Sequence, residues 1–270
     1  MIMKKMKTIG ISLLPVCSWL LVQVIVSAGG AMILFLLPAI LRMMGLNGSG
    51  IMAYLEREYL YLISVAMNAV FLIPGFFWYR FLVRKDACTE QGKAVFRFRA
   101  WMRLLLLGMC LQLAVSLLLS GAEILFPKTM ENYGQVMESL GVNKPSFWSA
   151  LYVAVLAPVT EELIFRGLTL KILQRAFPFT VANVIQAFYF AVIHGNLVQG
   201  LYAFVIGLLL GKIAEKYGTL KGSVLCHFSV NVSGLLLGSI PMGLPAMAAG
   251  AVALACLIVL LRDRDTIQIE

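Results

Sequence analysis

Apolar residues form long runs along most of the chain, and charged residues, glycines and prolines separate these runs. Each run is long enough to cross the hydrocarbon core of a bilayer as a helix. The pattern therefore predicts an all-α fold, a polytopic transmembrane helical bundle of about eight helices. The predicted spans lie at roughly 11–41, 59–79, 101–126, 147–170, 179–196, 198–214, 220–238 and 241–261.

The composition supports a membrane protein and excludes an ordinary soluble domain. Of the 270 residues, 61% are hydrophobic and 13% are charged, and the mean hydropathy is +0.90. With the N-terminus placed in the cytoplasm, only Arg42, Arg57, Lys128 and Lys144 among the basic residues fall outside. The net charge of +9 thus follows the positive-inside rule, which predicts cytoplasmic termini and leaves no basic patch for nucleic acid.

Two carboxylates and a guanidinium occur together inside the apolar run 147–170, in the segment Thr160–Arg166. Each unpaired charge at mid-bilayer costs about 2.5–3.5 kcal/mol on insertion scales. Glu162 and Arg166 are four residues apart, so they share a helix face and can pair, whereas Glu161 points about 100° away. Glu161 would then be free for acid–base chemistry, and Pro158 would open the backbone one turn earlier. A purely structural clamp between helices is the alternative.

Both histidines of the chain lie in apolar runs: Phe190 precedes His194 by one turn, and Asn231 follows His227 by one turn. Each alone could simply hold helices together by hydrogen bonds. Together with the Glu161 region they come from three spans and could converge on one hydrated cavity. His194 lies about 24 Å along a helix from Pro178. The fifth span must therefore tilt, begin late or be shorter than 179–196.

These three motifs resemble the CAAX prenyl protease and bacteriocin-processing family of intramembrane endopeptidases, also known as the CPBP or Abi family. The family pattern is Glu-Glu-x-x-x-Arg, Phe-x-x-x-His and His-x-x-x-Asn on successive membrane helices. The resemblance implies a CAAX-protease-like core at 147–238 with about four spans. It leaves 1–146 as N-terminal transmembrane helices and loops with about three spans, and 239–270 as the last transmembrane helix and a cytoplasmic tail.

The resemblance also implies roles for the motif residues. Glu161 and His194 would activate the hydrolytic water, with Glu161 as general base. His227 and Asn231 would stabilise the oxyanion of the tetrahedral intermediate. The remaining motif residues would support them: Glu162, Arg166 and Phe190.

A metal is the open alternative within this chemistry. Glu161, His194 and His227 could supply three ligands to one divalent metal such as Zn²⁺, with a fourth position for water, as a metalloprotease requires. The chain has no His-Glu-x-x-His sequence, and asparagine is a poor zinc ligand but a good oxyanion donor. A mechanism that requires no cofactor is therefore favoured.

The predicted function is hydrolysis of a peptide bond in a membrane-tethered or hydrophobic peptide by a water that Glu and His activate. The resemblance implies two substrate classes, CAAX-type prenylated proteins and bacteriocin or leader peptides. The predicted location is a bacterial plasma membrane, which favours the second class because bacteria do not generally prenylate proteins. The alternative is a non-catalytic membrane scaffold, or a bacteriocin self-immunity protein, that uses the same polar cavity. Membrane lipid is a predicted partner in either case, and nucleic acid is not.

Overall fold

The structure is a computed structural model that describes residues 2–83, 97–139 and 146–237 and single positions between 250 and 259. These residues form eight helices and no strand. The helices are α1 Ile2–Met43, α2 Ser49–Leu82, α3 Phe98–Leu125, α4 Pro127–Ser139, α5 Phe147–Leu173, α6 Phe179–Val192, α7 Leu197–Tyr217 and α8 Leu220–Leu237.

The predicted class of a polytopic helical bundle is confirmed. Within the described residues, six helices are long and apolar enough to cross a membrane, namely α1, α2, α3, α5, α7 and α8. Helix α2 begins at Ser49 rather than near 59, and α1 extends back to Ile2 with a break at Leu13. The predicted last span at 241–261 lies outside the described residues apart from single positions.

Helix α6 is shorter than the predicted span 179–196. It has 14 residues and ends at Val192, so it is about 21 Å long, less than the ~30 Å hydrocarbon core. The chain turns there because Gly195 has a positive φ of 71° and the Asn196 side chain caps α7 by accepting from the Gln199 N–H. The spacing left three options open, and the helix is indeed shorter than the predicted span.

Helix α5 lies at the centre of the bundle and contacts α1, α2, α6, α7 and α8. Every residue from Glu162 to Leu170 is buried. A helix that is buried on all sides needs no polar face toward water. Glu162 and Arg166 are therefore enclosed by protein groups, whereas Glu161, just before this stretch, stays partly exposed.

Small residues bring the other helices close together. The Cβ of an alanine at Gly108 on α3 would meet the backbone oxygen of Cys226 and lie 2.6 Å from the Ser229 Cβ on α8. At Gly207 on α7, an added Cβ would lie 3.2 Å from the Ala187 Cβ on α6. Close backbone approach at small residues is how membrane helices gain packing contacts. Here it packs α3 against α8 and α6 against α7.

The segment after α3 is the mostly exposed helix α4. Its Tyr133 hydroxyl lies 3.2 Å from the Tyr202 hydroxyl on α7. This contact joins α4 to the end of α7 that follows the His194 turn.

Candidate active site

The backbone of α5 changes register on both sides of the carboxylate pair. Leu151–Leu156 and Leu163–Thr169 are π-helical, and the segment Ala157–Glu162 between them is α-helical. The Ala157 N–H donates to the Tyr152 oxygen, five residues back. In an α-helix the ring of Pro158 would crowd the carbonyl four residues earlier, and the wider π turn relieves this crowding. Pro158 was predicted to open the backbone here, but the sequence did not predict the π register.

Glu162 and Arg166 are paired, as their spacing predicts. Arg166 Nη1 donates to Glu162 Oε1 at 2.9 Å, and both side chains are 0% exposed. Arg166 Nη2 donates to the Gly207 carbonyl of α7 at 3.1 Å. The guanidinium carbon lies 4.4 Å from the Phe190 ring centroid, at a distance where a cation–π attraction operates. The charge of Arg166 is thus compensated by a carboxylate, a carbonyl and an aromatic face.

His227 of α8 lies between the two carboxylates of α5. Its Nδ1 lies 2.9 Å from Glu162 Oε1, so Nδ1 carries a hydrogen and donates it to the carboxylate. Its Nε2 lies 3.7 Å from Glu161 Oε2. The Glu161 side chain is 14% exposed, whereas that of Glu162 is fully buried. Glu162 therefore fixes the ring orientation of His227, and the opposite ring nitrogen faces the more accessible carboxylate.

His194 lies in the turn after α6 and is partly buried. Its Nδ1 lies 2.7 Å from the Phe190 carbonyl oxygen. A carbonyl only accepts, so Nδ1 is the donor and the neutral ring keeps its lone pair on Nε2. Because α6 is only about 21 Å long, it does not by itself cross the ~30 Å hydrocarbon core. Irregular backbone within that core is tolerated where it is buried in protein or lines a water-filled cavity.

Phe190 connects the two histidines. Its ring centroid lies 4.9 Å from that of His194 and 5.9 Å from that of His227, edge-to-face in both cases. The same ring carries Arg166 on its face. The structure thus brings Phe190, both histidines, the carboxylate pair and Arg166 into one contiguous set. No direct contact between His194 and Glu161 is part of it.

Asn231 points toward the backbone of α5. Its Nδ2 donates to the Val153 carbonyl oxygen at 2.8 Å, across 78 positions in the chain. One of the two amide hydrogens is used by this bond, and the side chain is partly buried. The second hydrogen is available to another acceptor.

Two polar residues of α6, Asn183 and Gln186, also support the site through hydrogen bonds, and they were not predicted from the sequence. Gln186 is fully buried, and its Nε2 donates to the Gly207 carbonyl at 3.1 Å and to Asn183 Oδ1 at 2.7 Å. The Gly207 carbonyl thus accepts from both Arg166 and Gln186. A sequence signal was present, because Asn183 and Gln186 are three apart in an apolar run and Gln186 lies one turn before Phe190.

The three residues considered as zinc ligands are not arranged as a metal site. Within the described part of the chain, no group of three or more His, Cys, Asp or Glu side chains could hold a metal ion. Glu161 and His227 face each other, and His194 reaches them only through Phe190. As arranged, these side chains do not fit a catalytic zinc, which needs three protein ligands at bonding distance.

Comparison with known proteins identifies the segment that carries these residues. Residues 143–233 match the family described as type II CAAX prenyl endopeptidase Rce1-like. The match includes all three motifs and confirms the predicted resemblance. It indicates a protease, and with six helices long enough to span a membrane it indicates an integral membrane protein. No curated protein and no solved structure matches the chain.

Proposed function

Because residues 143–233 match the Rce1-like family of type II CAAX prenyl endopeptidases, we propose that this protein hydrolyses a peptide bond of its substrate within the membrane. The observation that carries the proposal is the placement of His227 Nε2 at 3.7 Å from Glu161 Oε2. A carboxylate and an imidazole that face each other in a largely buried site are suited to move a proton between water and a reacting peptide.

The charges of the site support this assignment. Ionised Glu161 and Glu162 carry two negative charges and Arg166 carries one positive charge. One proton shared by Glu161 and His227 brings the set to neutrality, which lowers the cost of burying it. With that proton on His227, Nδ1–H donates to Glu162, and Nε2–H faces the ionised Glu161, which can act as the base.

The proposed reaction uses these donors and acceptors in order. A water donates its hydrogens to Glu161 and to the lone pair on His194 Nε2, and its oxygen attacks the scissile carbonyl. Glu161 takes the proton as the C–O bond forms. The resulting oxyanion accepts hydrogen bonds from His227 Nε2–H and from the second amide hydrogen of Asn231. Glu161 then passes its proton to the leaving nitrogen, the C–N bond breaks, and a carboxylic acid and an amine are released.

The supporting residues act by holding these groups in place. Glu162 fixes His227 through the bond to Nδ1, and Arg166 holds Glu162. The Phe190 ring packs between the two histidines, and the Arg166 guanidinium lies over its face. Groups whose orientation is set in advance need little reorganisation as charge develops in the transition state.

The substrate is proposed to be a membrane-associated peptide. The site lies between helices that are apolar enough to span the bilayer, so a substrate tethered to lipid or itself apolar reaches it most readily. Of the two candidate classes, bacteriocin or leader peptides are favoured over prenylated CAAX proteins. The proposed location is a bacterial plasma membrane. The excess of basic residues on one side of the predicted topology supports cytoplasmic termini.

The experiment is cleavage of membrane-tethered reporter peptides by the purified full-length protein in detergent. One reporter carries a prenylated CAAX terminus and the other an apolar leader sequence. Glu161→Gln keeps the shape of the side chain and removes the base, so kcat should fall by about 10²–10⁴-fold while the fold is retained. Glu58→Gln is the matched control, because Glu58 on α2 is also a buried carboxylate, 5% exposed, and belongs to no part of the proposed site.

Each outcome decides between the alternatives. Loss of cleavage in Glu161→Gln alone, unaffected by a chelator, supports the metal-free reaction. Loss of wild-type cleavage on chelation, with recovery on adding Zn²⁺, places a metal in the reaction instead. Full activity of Glu161→Gln refutes its role as base. If neither reporter is cut while both proteins remain folded, the scaffold or self-immunity function replaces the protease.

A further inference from the structure

The π register of α5 leaves one particular carbonyl without a helical partner. In the turn Leu151–Leu156 the bonds run five residues back, and the last observed one joins the Ala157 N–H to the Tyr152 oxygen. In the same register the next N–H would belong to residue 158 and would bond the oxygen of Val153. Residue 158 is proline, which has no N–H. The Val153 carbonyl therefore lacks its intrahelical donor.

Asn231 supplies the missing donor. Its Nδ2 lies 2.8 Å from the Val153 oxygen, and this is the side chain proposed to donate its other amide hydrogen to the oxyanion. A buried carbonyl without a hydrogen-bond partner raises the free energy of the folded state, so a donor from the neighbouring helix that bonds it is stabilising. A purely α-helical α5 would instead leave the carbonyl of residue 154 free, about 100° around the helix axis.

We propose that Pro158 is a positioning residue for the reaction. Because Pro158 has no N–H in the π-helical register, the Val153 carbonyl stays available to accept from Asn231. This hydrogen bond sets the orientation of the Asn231 amide toward the substrate. The proposal rests on the oxyanion role assigned to Asn231 above. It explains why a helix-breaking residue stands one turn before the two carboxylates.

The first test observes the amide directly and does not depend on activity. The chain has seven asparagines, so selective ¹⁵N-asparagine labelling gives a small set of side-chain amide signals. The Asn231 signal is the one that is lost in Asn231→Ala. Pro158→Ala restores an N–H that competes for the Val153 carbonyl, so the Asn231 signal should shift and its hydrogens should exchange faster. Pro38→Ala, at the proline inside α1, is the control and should leave the signal unchanged.

The second test measures kcat and KM on the cleaved reporter. Removing one oxyanion donor costs about 10²–10³-fold in kcat, so Asn231→Ala should lose that much. Pro158→Ala should lose at least about tenfold in kcat, with KM changed less than about threefold, since only the transition state is affected. The double variant should be no slower than Asn231→Ala alone, because both changes remove the same interaction.

A third variant separates the missing N–H from the proline ring. The α-hydroxy analogue of alanine at position 158 replaces the amide by an ester, so it has neither a ring nor an N–H. This protein should keep the wild-type Asn231 signal and a near-wild-type kcat.

Four results would overturn the inference. The first is an unchanged Asn231 signal in Pro158→Ala, and the second is an ester variant as impaired as Pro158→Ala. The third is a double variant whose losses multiply. The fourth is a shifted signal with full kcat, because the orientation then does not serve the reaction. If Asn231→Ala itself retains full kcat, the oxyanion assignment fails, whatever the amide signals show.

Discussion

Replacement of Arg166 by methionine tests whether the buried charges of α5 depend on one another. Arg166→Met keeps an apolar side chain of comparable length and removes the guanidinium. The change leaves the fully buried carboxylate of Glu162 without its cationic partner, although His227 still donates a hydrogen bond to it. It also removes one of the two donors to the Gly207 carbonyl and the cation that lies on the Phe190 ring.

The magnitude follows from the burial. Removing one partner of a buried, hydrogen-bonded ion pair costs about 3–5 kcal/mol, because the other charge is left buried without compensation. Both side chains of this pair are 0% exposed, so water does not screen the remaining carboxylate. Arg166→Met should therefore lower the free energy of unfolding by about 3–5 kcal/mol. Adding Glu162→Gln removes the stranded charge, and the double variant should lose no more than about 2 kcal/mol.

The assay is the free energy of unfolding in a denaturing-detergent titration, with helix content as the signal. Arg42→Met is the control, because Arg42 is at the exposed end of α1 and donates to the Pro38 carbonyl of its own helix. It should change stability by less than about 0.5 kcal/mol. A cost of less than about 1 kcal/mol for Arg166→Met would show that Glu162 does not depend on the guanidinium. A double variant that loses as much as the two single changes summed would show that the pair is not coupled.

Two further changes test the packing and the second histidine. Gly108→Ala should destabilise the protein by about 1–3 kcal/mol, because the added Cβ would meet the backbone and the Ser229 side chain of α8. Gly121→Ala on the same helix is the control, because a Cβ added there would have no atom within 4 Å. It should be neutral or mildly stabilising in the same titration. Equal effects of the two would contradict the close approach of α3 and α8. His194→Gln should lower kcat by about 10²-fold or more, because it removes the basic Nε2, and should change the free energy of unfolding little. An unchanged kcat would exclude His194 from water activation.

The helical class, the membrane location and the pairing of Glu162 with Arg166 could be read from the sequence. Each depends on neighbours along the chain: the length of an apolar run sets whether a helix can cross the bilayer, and a spacing of four residues places two side chains on one helix face. The three motifs were also readable, because each is a short helical spacing. The family match at 143–233 covers all three motifs.

Other features depend on distances between helices that no local spacing encodes. His227 faces Glu161 and bonds Glu162 from a helix 65 positions away, and Asn231 reaches the Val153 carbonyl across 78 positions. Helix α6 ends early because Gly195 and Asn196 turn the chain, although the apolar run continues to 193.

The register of α5 shows why some features could be predicted from the sequence and others could not. Pro158 is visible in the sequence, and the loss of one backbone donor follows from its chemistry. Which carbonyl is left free depends on whether the preceding turn is α- or π-helical, and which donor satisfies it depends on the helix that packs there. Periodicity along the chain therefore specifies helices and their polar faces, whereas the packing of α5 against α7 and α8 selects the partners of each buried polar group.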